Sequence, residues 1–255
     1  DFNIVLGNGL VGFIRVDEAG FDRLRAPEIL LQGNLLQPLA AQNYRAILSE
    51  KNIALEHYRS QSSVLEELRQ NIPHYAQLEF FRDQINHLDK KAQAKLNELL
   101  LSELSQTLGI QFKESQLAKA PRRRLLRMED LANLRPFHWG YHFSEVLEQS
   151  GGFNIIVSKL PCGAFRPTTQ EFVQKFSDLA SHKQIDLRTF KTAKRSLLNA
   201  DAEIADAWLS YQSQYSLLTD YFYRSPQYDY QSPLLKGKRQ RTQLRRHWLY
   251  VERCV

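Results

Sequence analysis

The sequence predicts an α/β protein in which short apolar strands are interrupted by a long helical block. Near the start, apolar residues 4–6 and 10–14 flank Gly7-Asn8-Gly9, a strong turn signal. Much later, apolar residues 153–157 follow Gly151-Gly152, as in a strand buried on both faces of a parallel sheet. Because 43% of the 255 residues are hydrophobic, a sizeable core can be buried.

A helical block occupies residues 37 to about 109, where Leu, Ala, Glu, Gln, Lys and Arg dominate. Apolar residues recur there at helical spacing, as in Leu65, Leu68 and Ile72. Pro73 must begin or end a helix, because it lacks an amide donor and restricts the residue before it. Since no heptad pattern is sustained, we expect an inserted hairpin of antiparallel helices and not an independent coiled coil.

Three parts are expected along the chain. Residues 1–36 are a strand segment of the core, residues 37–120 the helical insertion, and residues 121–255 the continuation of the core. In open α/β sheets, ligands bind beyond the carboxyl ends of strands, so residues 158–167 are the expected functional loop. A capping box at Thr168-Thr169-Gln170-Glu171 predicts a helix directly after it, and helical character continues through residues 186–218.

The net charge of +6 is concentrated in two basic clusters. The first contains Arg122, Arg123, Arg124 and Arg127, and the second contains Lys236, Lys238, Arg239, Arg241, Arg245 and Arg246. Clustered cations suit a polyanion such as nucleic acid. A solvated face or a flexible linker is an equally good interpretation. The tyrosine-rich segment 221–230 could stack nucleic-acid bases, although tyrosine packing in a surface loop is the commoner outcome.

Composition also limits the expected cellular compartment and the expected metal binding. No apolar run is long enough to span a membrane, and no signal-peptide pattern opens the chain, so we expect a cytoplasmic protein without a membrane partner. Cys162 and Cys254 lack partners at metal-ligand spacing, so we expect reduced thiols and no metal site. The chain opens inside an apolar run and its single methionine is Met128, which favours a piece of a longer protein.

Residues 152–163, Gly-Phe-Asn-Ile-Ile-Val-Ser-Lys-Leu-Pro-Cys-Gly, resemble the catalytic motif of adenine-specific DNA methyltransferases. In that family a strand written Phe-Asp-x-x-x, then Gly or Ser, leads into Asn-Pro-Pro and an aromatic residue. Residues 4–12 and Pro136-Phe137-His138-Trp139 are similar to segments of type IIG restriction-modification methylases. Residues 165–168, 193–195 and 249–253 also fit one subgroup, so the resemblance spans nearly the whole chain.

This resemblance implies a doubly wound, Rossmann-like sheet, here partial, that binds S-adenosylmethionine. It also implies double-stranded DNA as the partner, from which the target adenine is flipped. In the family, the Asn carboxamide and the first Pro carbonyl accept hydrogen bonds from the exocyclic amine of adenine, and the aromatic residue stacks on the base. The matching positions here are Ser158, Lys159, Leu160, Pro161 and Cys162.

These positions depart from the family pattern. Lys159 replaces the Asn and, while protonated, has donors but no acceptor for the adenine amine. Leu160 replaces the first Pro, and Cys162 has no ring to stack on the base, so the chain is expected to be inactive. The family's glycine-rich cofactor loop would lie upstream of residue 4. We therefore expect weak or absent S-adenosylmethionine binding by this chain alone, with Asn8 near the adenosine or simply in a turn, and the missing remainder of the methyltransferase as a possible partner.

Two other functions fit the same sequence. One is a catalytically dead nucleic-acid-binding module that uses the basic residues Arg122, Arg123, Arg124, Lys236, Lys238, Arg239 and Arg241. The other is an interaction scaffold built on the helical block. A hydrolase is disfavoured because Ser158 lacks a glycine elbow, and His138 and His142 lack the Glu of the zinc-protease motif.

Overall fold

The computed structural model describes residues 4–16, 40–68, 72–182, 186–235 and 238–254. The chain divides into two compact units, Asp1–Ser102 with Arg135–Asn154, and Glu103–Leu134 with Ile155–Val255. The predicted boundary after residue 36 lies outside the described residues, and the predicted boundary after residue 120 falls inside the strand Lys119–Arg124. The predicted division into three parts stays a prediction.

Short helices and strands follow two long helices along the chain. In chain order the elements are α1 (Ala40–Leu68), α2 (Ile72–Ser102), a π-helical turn (Glu103–Thr107), β1 (Phe112–Gln116), β2 (Lys119–Arg124), α3 (Met128–Ala132), α4 (Trp139–His142), α5 (Ser144–Gln149), α6 (Thr169–Lys175), α7 (Ser177–His182), α8 (Leu187–Ala200), α9 (Ala202–Arg224), a 3₁₀ turn (Pro226–Tyr228), β3 (Leu234–Leu235), β4 (Lys238–Arg239) and α10 (Arg246–Cys254).

The first unit is built on the hairpin of α1 and α2. Gln84 of α2 hydrogen-bonds Glu50 of α1, and further along Phe81 stacks on His57, so the two helices run antiparallel. The predicted break is confirmed, since Pro73 occupies the second position of α2, where a missing amide donor leaves no intrahelical bond unmade. Buried apolar side chains from both helices form the shared core: Tyr44, Ala54, Ile85, Leu88, Ala92 and Leu96.

The second unit is built around α9, whose inner face is aromatic. Trp208, Tyr211 and Tyr215 pack with Phe172 of α6 and Phe190 of α8 in one buried cluster. The predicted start of α6 is confirmed, because the Thr168 hydroxyl accepts a hydrogen bond from the Glu171 N–H at 3.2 Å. The reciprocal half of the capping box is not formed, since the Thr168 N–H donates to Tyr211 OH and the Glu171 carboxylate accepts from Tyr215 OH. The aromatic core thus follows from helices whose starts are encoded locally.

A β-hairpin, absent from the sequence-based expectations, packs on α9. Its strands β1 and β2 pair antiparallel with a bulge between Glu114 and Gln116. The Ser115 N–H donates to Ser213 Oγ at 2.8 Å, and Lys113 Nζ lies 2.5 Å from Asp220 Oδ2. These two contacts fix the hairpin along the helix, and so fix the direction in which each strand residue points.

The strand predicted over residues 153–157 is not formed. These residues have no strand partner, and Ile155 and Val157 are 81% and 93% exposed. A strand persists where a neighbour takes up its backbone hydrogen bonds, and the described residues supply none here. Residues 4–6 are likewise exposed and unpaired as strands. The described sheets are two antiparallel pairs, β1-β2 and β3-β4, so the doubly wound sheet stays a prediction.

Among the described residues, no helix combines the length and the apolar character needed to cross a membrane.

Candidate nucleic-acid interface

The loop that matches the methyltransferase motif is open to solvent. Ser158, Lys159, Pro161 and Cys162 are exposed, and Leu160 is half-buried. Cys162 Sγ lies 3.9 Å from the Leu160 carbonyl oxygen, a weak contact within the loop itself. This loop does not supply the pair of acceptors that would hold an adenine amine, because Lys159 offers donors where the family has the Asn carboxamide.

The downstream end of this loop is anchored to the second basic cluster. The Phe165 N–H donates to the Leu244 carbonyl at 2.8 Å, and the Arg246 N–H donates to the Gly163 carbonyl at 3.0 Å. Ala164 and Arg245 form an antiparallel bridge between these two bonds. The exposed loop therefore leads directly into residues 244–246, which places two sequence-predicted regions side by side in the second unit.

Asn8 forms a turn that rests on residues 135–136. Its N–H donates to the Arg135 carbonyl at 2.7 Å, and it pairs with Pro136 in a parallel bridge. Its side-chain oxygen accepts a hydrogen bond from the Leu10 N–H at 3.2 Å, as in an Asx turn. The geometry matches the plain-turn interpretation of Asn8, and a role near a cofactor stays a prediction.

Two segments that carry the family resemblance meet in the first unit. The Phe137 N–H donates to the Val11 carbonyl at 2.8 Å, and Trp139 Nε1 donates to the Gly9 carbonyl at 3.0 Å. Gly12 has a φ of 120°, and a Cβ there would lie 2.4 Å from the Phe137 carbonyl oxygen. Glycine at this position is therefore required for residues 7–13 and 136–139 to approach so closely.

A buried polar cluster ties α4 to the helical hairpin. Lys51 Nζ donates to the Tyr141 carbonyl at 3.2 Å, and Tyr141 OH donates to Asp89 Oδ1 at 2.8 Å. Burial lowers the pKa of Lys51, although Asp89 acts in the opposite direction. Burial, with Lys51 nearby, also lowers the pKa of His142 to about 4. Each of these polar groups has a partner or a charged neighbour, so we assign the cluster a structural role.

The three consecutive arginines of the first basic cluster point to opposite faces of β2, because successive strand residues alternate. Arg123 lies directly across from Lys113, and Arg122 lies directly across from Glu114. Directly opposed residues share a face. Arg123 therefore shares a face with Lys113, whereas Arg122 and Arg124 share the other face with Glu114.

The face of Arg122 and Arg124 is rich in carboxylates. Arg124 binds Asp130 with two hydrogen bonds of 2.7 Å, and its guanidinium lies 4.1 Å from the centre of the Phe112 ring. The Asp130 hydrogen bond raises the pKa of Arg124 further. Glu114, Glu129 and Asp206 line the adjoining cavity of about 600 Å³. The charge of Arg124 is thus already matched, and the carboxylates make this face less attractive to a polyanion, although Lys119 also lines the cavity.

A basic cleft lies on the side of the hairpin that carries Lys113. The cleft has a volume of about 520 Å³ and runs between the hairpin and α9. Lys113, Lys119 and Arg241 line it, and Asp220 is the carboxylate among its lining residues. The Arg241 guanidinium lies 5.6 Å from the centre of the Tyr223 ring, which also lines the cleft. We call this region the basic cleft below.

The basic cleft brings β2 next to the second basic cluster, although the two are remote in sequence. Lys119 of β2 and Arg241 of the second cluster both line the cleft, and Arg123 of the first cluster shares a strand face with Lys113. Of the remaining predicted residues, Lys238 and Arg239 lie on β4, and Lys236 lies outside the described residues. Arg246 is engaged with Glu171 and with the Tyr215 hydroxyl, so it too serves the aromatic core.

Lys113 and Lys119 were missed by the sequence analysis, which placed them in the helical insertion. Residues 112–116 and 119–124 carry no alternation of apolar and polar residues, so no strand signal for them was present in the sequence. Among the described residues, no group of three or more His, Cys, Asp or Glu side chains is arranged to hold a metal ion.

Comparison of the chain with protein-family models, with curated proteins and with solved structures found no match.

Proposed function

We propose that this chain is the DNA-contacting part of an adenine-specific DNA methyltransferase of the restriction-modification type, and that it does not transfer methyl groups by itself. The order of its family-like segments supports the family. The close contact of residues 7–13 with residues 136–139 also supports it, because two of the family-like segments pack directly against each other. The proposal implies a cytoplasmic location, double-stranded DNA as partner and S-adenosylmethionine as the cofactor of the complete enzyme.

The basic cleft is the observation that carries the DNA-binding part of this proposal. Lys113 and Arg123 are like charges on directly opposed strand positions, and Asp220 neutralises Lys113. Lys119 and Arg241 in the cleft, with Arg123 on the strand face of Lys113, are then left to meet a phosphate backbone. Each phosphate contact releases condensed counterions and so favours binding.

The exposed loop supports the proposed lack of catalysis. Adenine's amine needs acceptors held in place before it can attack a methyl group, and Lys159 supplies donors in place of the carboxamide acceptor. Cys162 supplies no aromatic surface for the flipped base. The chain would therefore contribute DNA contacts to a methyltransferase without performing the chemical step.

DNA binding is tested by comparing two neighbouring arginines. Arg123→Ala should weaken binding of labelled duplex DNA roughly 5- to 10-fold at about 0.1 M salt, because one phosphate contact is lost. Arg122→Ala is the matched control, since it removes the same charge from the face that carries Glu114. Equal losses in both variants, or no binding by the unaltered chain, would contradict the assignment of the basic cleft.

The methyltransferase assignment needs a separate experiment. Methyl transfer from labelled S-adenosylmethionine to adenine-containing DNA is measured for the chain extended upstream by a glycine-rich cofactor loop. The extended chain is compared with one that also carries Lys159→Asn, Leu160→Pro and Cys162→Trp. Activity in the restored version alone would establish both the family and the loss of the catalytic loop. If neither version transfers methyl groups, although both are folded and bind the cofactor, the chain is a binding module without methyltransferase chemistry.

A catalytically dead nucleic-acid-binding module is accordingly the second candidate. The basic cleft favours it, because the cleft depends on charge and geometry and not on the family resemblance. This candidate predicts the same difference between Arg123→Ala and Arg122→Ala but no methyl transfer in the restored chain.

A further inference from the structure

A third cavity, of about 580 Å³, lies beside α10 and is lined in part by exposed aromatic side chains. Tyr230 is 83% exposed and Trp248 is 54% exposed. Val251, three residues after Trp248 on α10, adds apolar surface to the lining. The volume falls within the range of small-molecule sites, which are mostly apolar with a few placed polar groups. We call this cavity the aromatic pocket.

Two polar side chains also line the aromatic pocket. The Gln231 amide oxygen accepts from the Arg245 N–H at 2.8 Å, which orients the amide. Glu252 Oε1 accepts from the Tyr230 N–H at 2.6 Å, and the Gln231 side chain also interacts with the Glu252 carboxylate. Both polar groups are therefore engaged within the protein, and the rings of Tyr230 and Trp248 are the surface that remains for a ligand.

The aromatic pocket adjoins the basic cleft along the chain. Arg241 lines the basic cleft, and the next residue, Thr242, lines the aromatic pocket. Tyr223, which lines the basic cleft, donates its hydroxyl hydrogen bond to the Thr242 carbonyl and holds the two regions together. A backbone phosphate near Arg241 would thus have its own base within reach of the aromatic pocket.

We infer that the aromatic pocket holds one unpaired nucleobase of a strand whose phosphates lie in the basic cleft. The site is distinct from the loop 158–162, where the resemblance would place a target adenine. This inference rests on the nucleic-acid binding proposed above for the basic cleft.

The chemistry of the pocket matches a base better than an aliphatic ligand. A nucleobase presents a π-face for Trp248 or Tyr230 and an edge on which donors and acceptors alternate. The flat rings of Trp248 and Tyr230 complement that π-face, whereas an aliphatic ligand offers no π-face on which to stack. A base inside a duplex cannot stack on a protein ring, so the occupant is unpaired.

The test compares three DNA probes on the full chain: a short oligodeoxyadenylate, an abasic oligonucleotide with the same number of phosphates, and a duplex of the same length. The oligodeoxyadenylate should bind about 5- to 100-fold more tightly than the abasic strand, because stacking of a base on an aromatic ring is lost without the base. Its binding should also quench tryptophan fluorescence, since Trp248 is the most exposed of the three tryptophans.

Three variants separate the pocket from the cleft. Trp248→Ala should abolish the preference for the base-bearing strand, and Trp248→Phe should keep the preference but lose the fluorescence quenching. Arg123→Ala should weaken binding of the oligodeoxyadenylate and the abasic strand by equal factors. Because Trp248 is half-exposed, these substitutions leave the core intact, which circular dichroism checks.

The outcomes distinguish this inference from the proposed function. Equal affinity for the base-bearing and abasic strands, with duplex DNA still bound, would overturn the aromatic pocket as a base site and leave the basic cleft standing. The exposed aromatic side chains would then be a protein-packing surface. Absence of binding to all three probes would overturn both proposals together.

Discussion

At the scale of single residues, His142 links stability to pH. Its pKa is lowered to about 4 by burial, so between about pH 6.5 and pH 4 the unfolded chain binds a proton that the folded chain does not. Stability is therefore fully present above about pH 6.5 and falls as the pH falls through this window. Because the ring is only half-buried, we expect a loss of about 1–2 kcal/mol from this group.

The check is a pair of urea unfolding curves at about pH 7.5 and about pH 4.5 for the unaltered chain and for His142→Gln. Carboxylates contribute to both proteins, so the difference between the two pH dependences isolates His142. A variant whose stability falls with acid as steeply as that of the unaltered chain would show that His142 titrates normally in the fold.

Asp130 shows how one residue of a charged cluster becomes structural. It is 6% exposed, binds Arg124 through both carboxylate oxygens, and also accepts the Arg127 N–H at 2.9 Å. Asp130→Asn should cost about 2–4 kcal/mol of unfolding free energy, because the half-buried Arg124 loses its partner. Glu129→Gln, at the exposed neighbouring position, should change the unfolding free energy by less than about 0.5 kcal/mol. Similar losses in the two variants would contradict the structural assignment.

At the scale of elements, the start of α9 depends on one side chain. Asp201 Oδ1 accepts hydrogen bonds from the Glu203 N–H at 3.0 Å and from the Ile204 N–H at 3.2 Å. Asp201→Ala should destabilise the protein by about 1 kcal/mol, and Asp201→Asn should restore most of this loss. Asp206→Ala, at an exposed interior position of the same helix, is the control. Thermal unfolding followed by circular dichroism measures all three, and an unchanged midpoint for Asp201→Ala would be inconsistent with the cap.

The elements also show which parts of the fold could be predicted from the sequence. The hairpin break at Pro73 and the start of α6 at Thr168 were predictable, because proline geometry and capping act within a few residues. The strand over residues 153–157 was not, since a strand depends on partners elsewhere in the chain that apolar composition does not specify. The β1-β2 hairpin was missed because its charged residues lack an apolar face in the sequence.

The candidate site was predictable as composition but not as geometry. Arg122, Arg123 and Arg124 are three adjacent residues of the same type, yet strand alternation gives them different neighbours. Arg123 lies opposite Lys113, Arg124 is engaged with Asp130, and Arg122 lies opposite Glu114. The basic cleft depends on α9, beside which residues 113–121 and Arg241 come together. The aromatic pocket likewise required Trp248 and Tyr230 to be placed in three dimensions.

At the scale of the whole molecule, the net charge of +6 predicts general attraction to DNA, but the basic cleft predicts how many phosphates are contacted. With Arg123, Lys119 and Arg241 unmatched, about three contacts should form. The logarithm of the binding constant for duplex DNA should then fall with the logarithm of salt concentration with a slope of about −2.7. Raising the salt from about 50 mM to about 200 mM should weaken binding roughly 40-fold.

The matched variants make this slope specific to the cleft. Arg123→Ala should reduce the slope by about 1, and Arg122→Ala should leave it unchanged apart from the small effect of net charge. Fluorescence anisotropy with a labelled duplex at several salt concentrations gives all three slopes. A slope near zero in the unaltered chain would mean that phosphates are not neutralised. The helical hairpin of α1 and α2 would then become the better candidate for the functional surface. A steep slope that neither substitution alters would place the DNA elsewhere on the protein, because general attraction does not require either arginine.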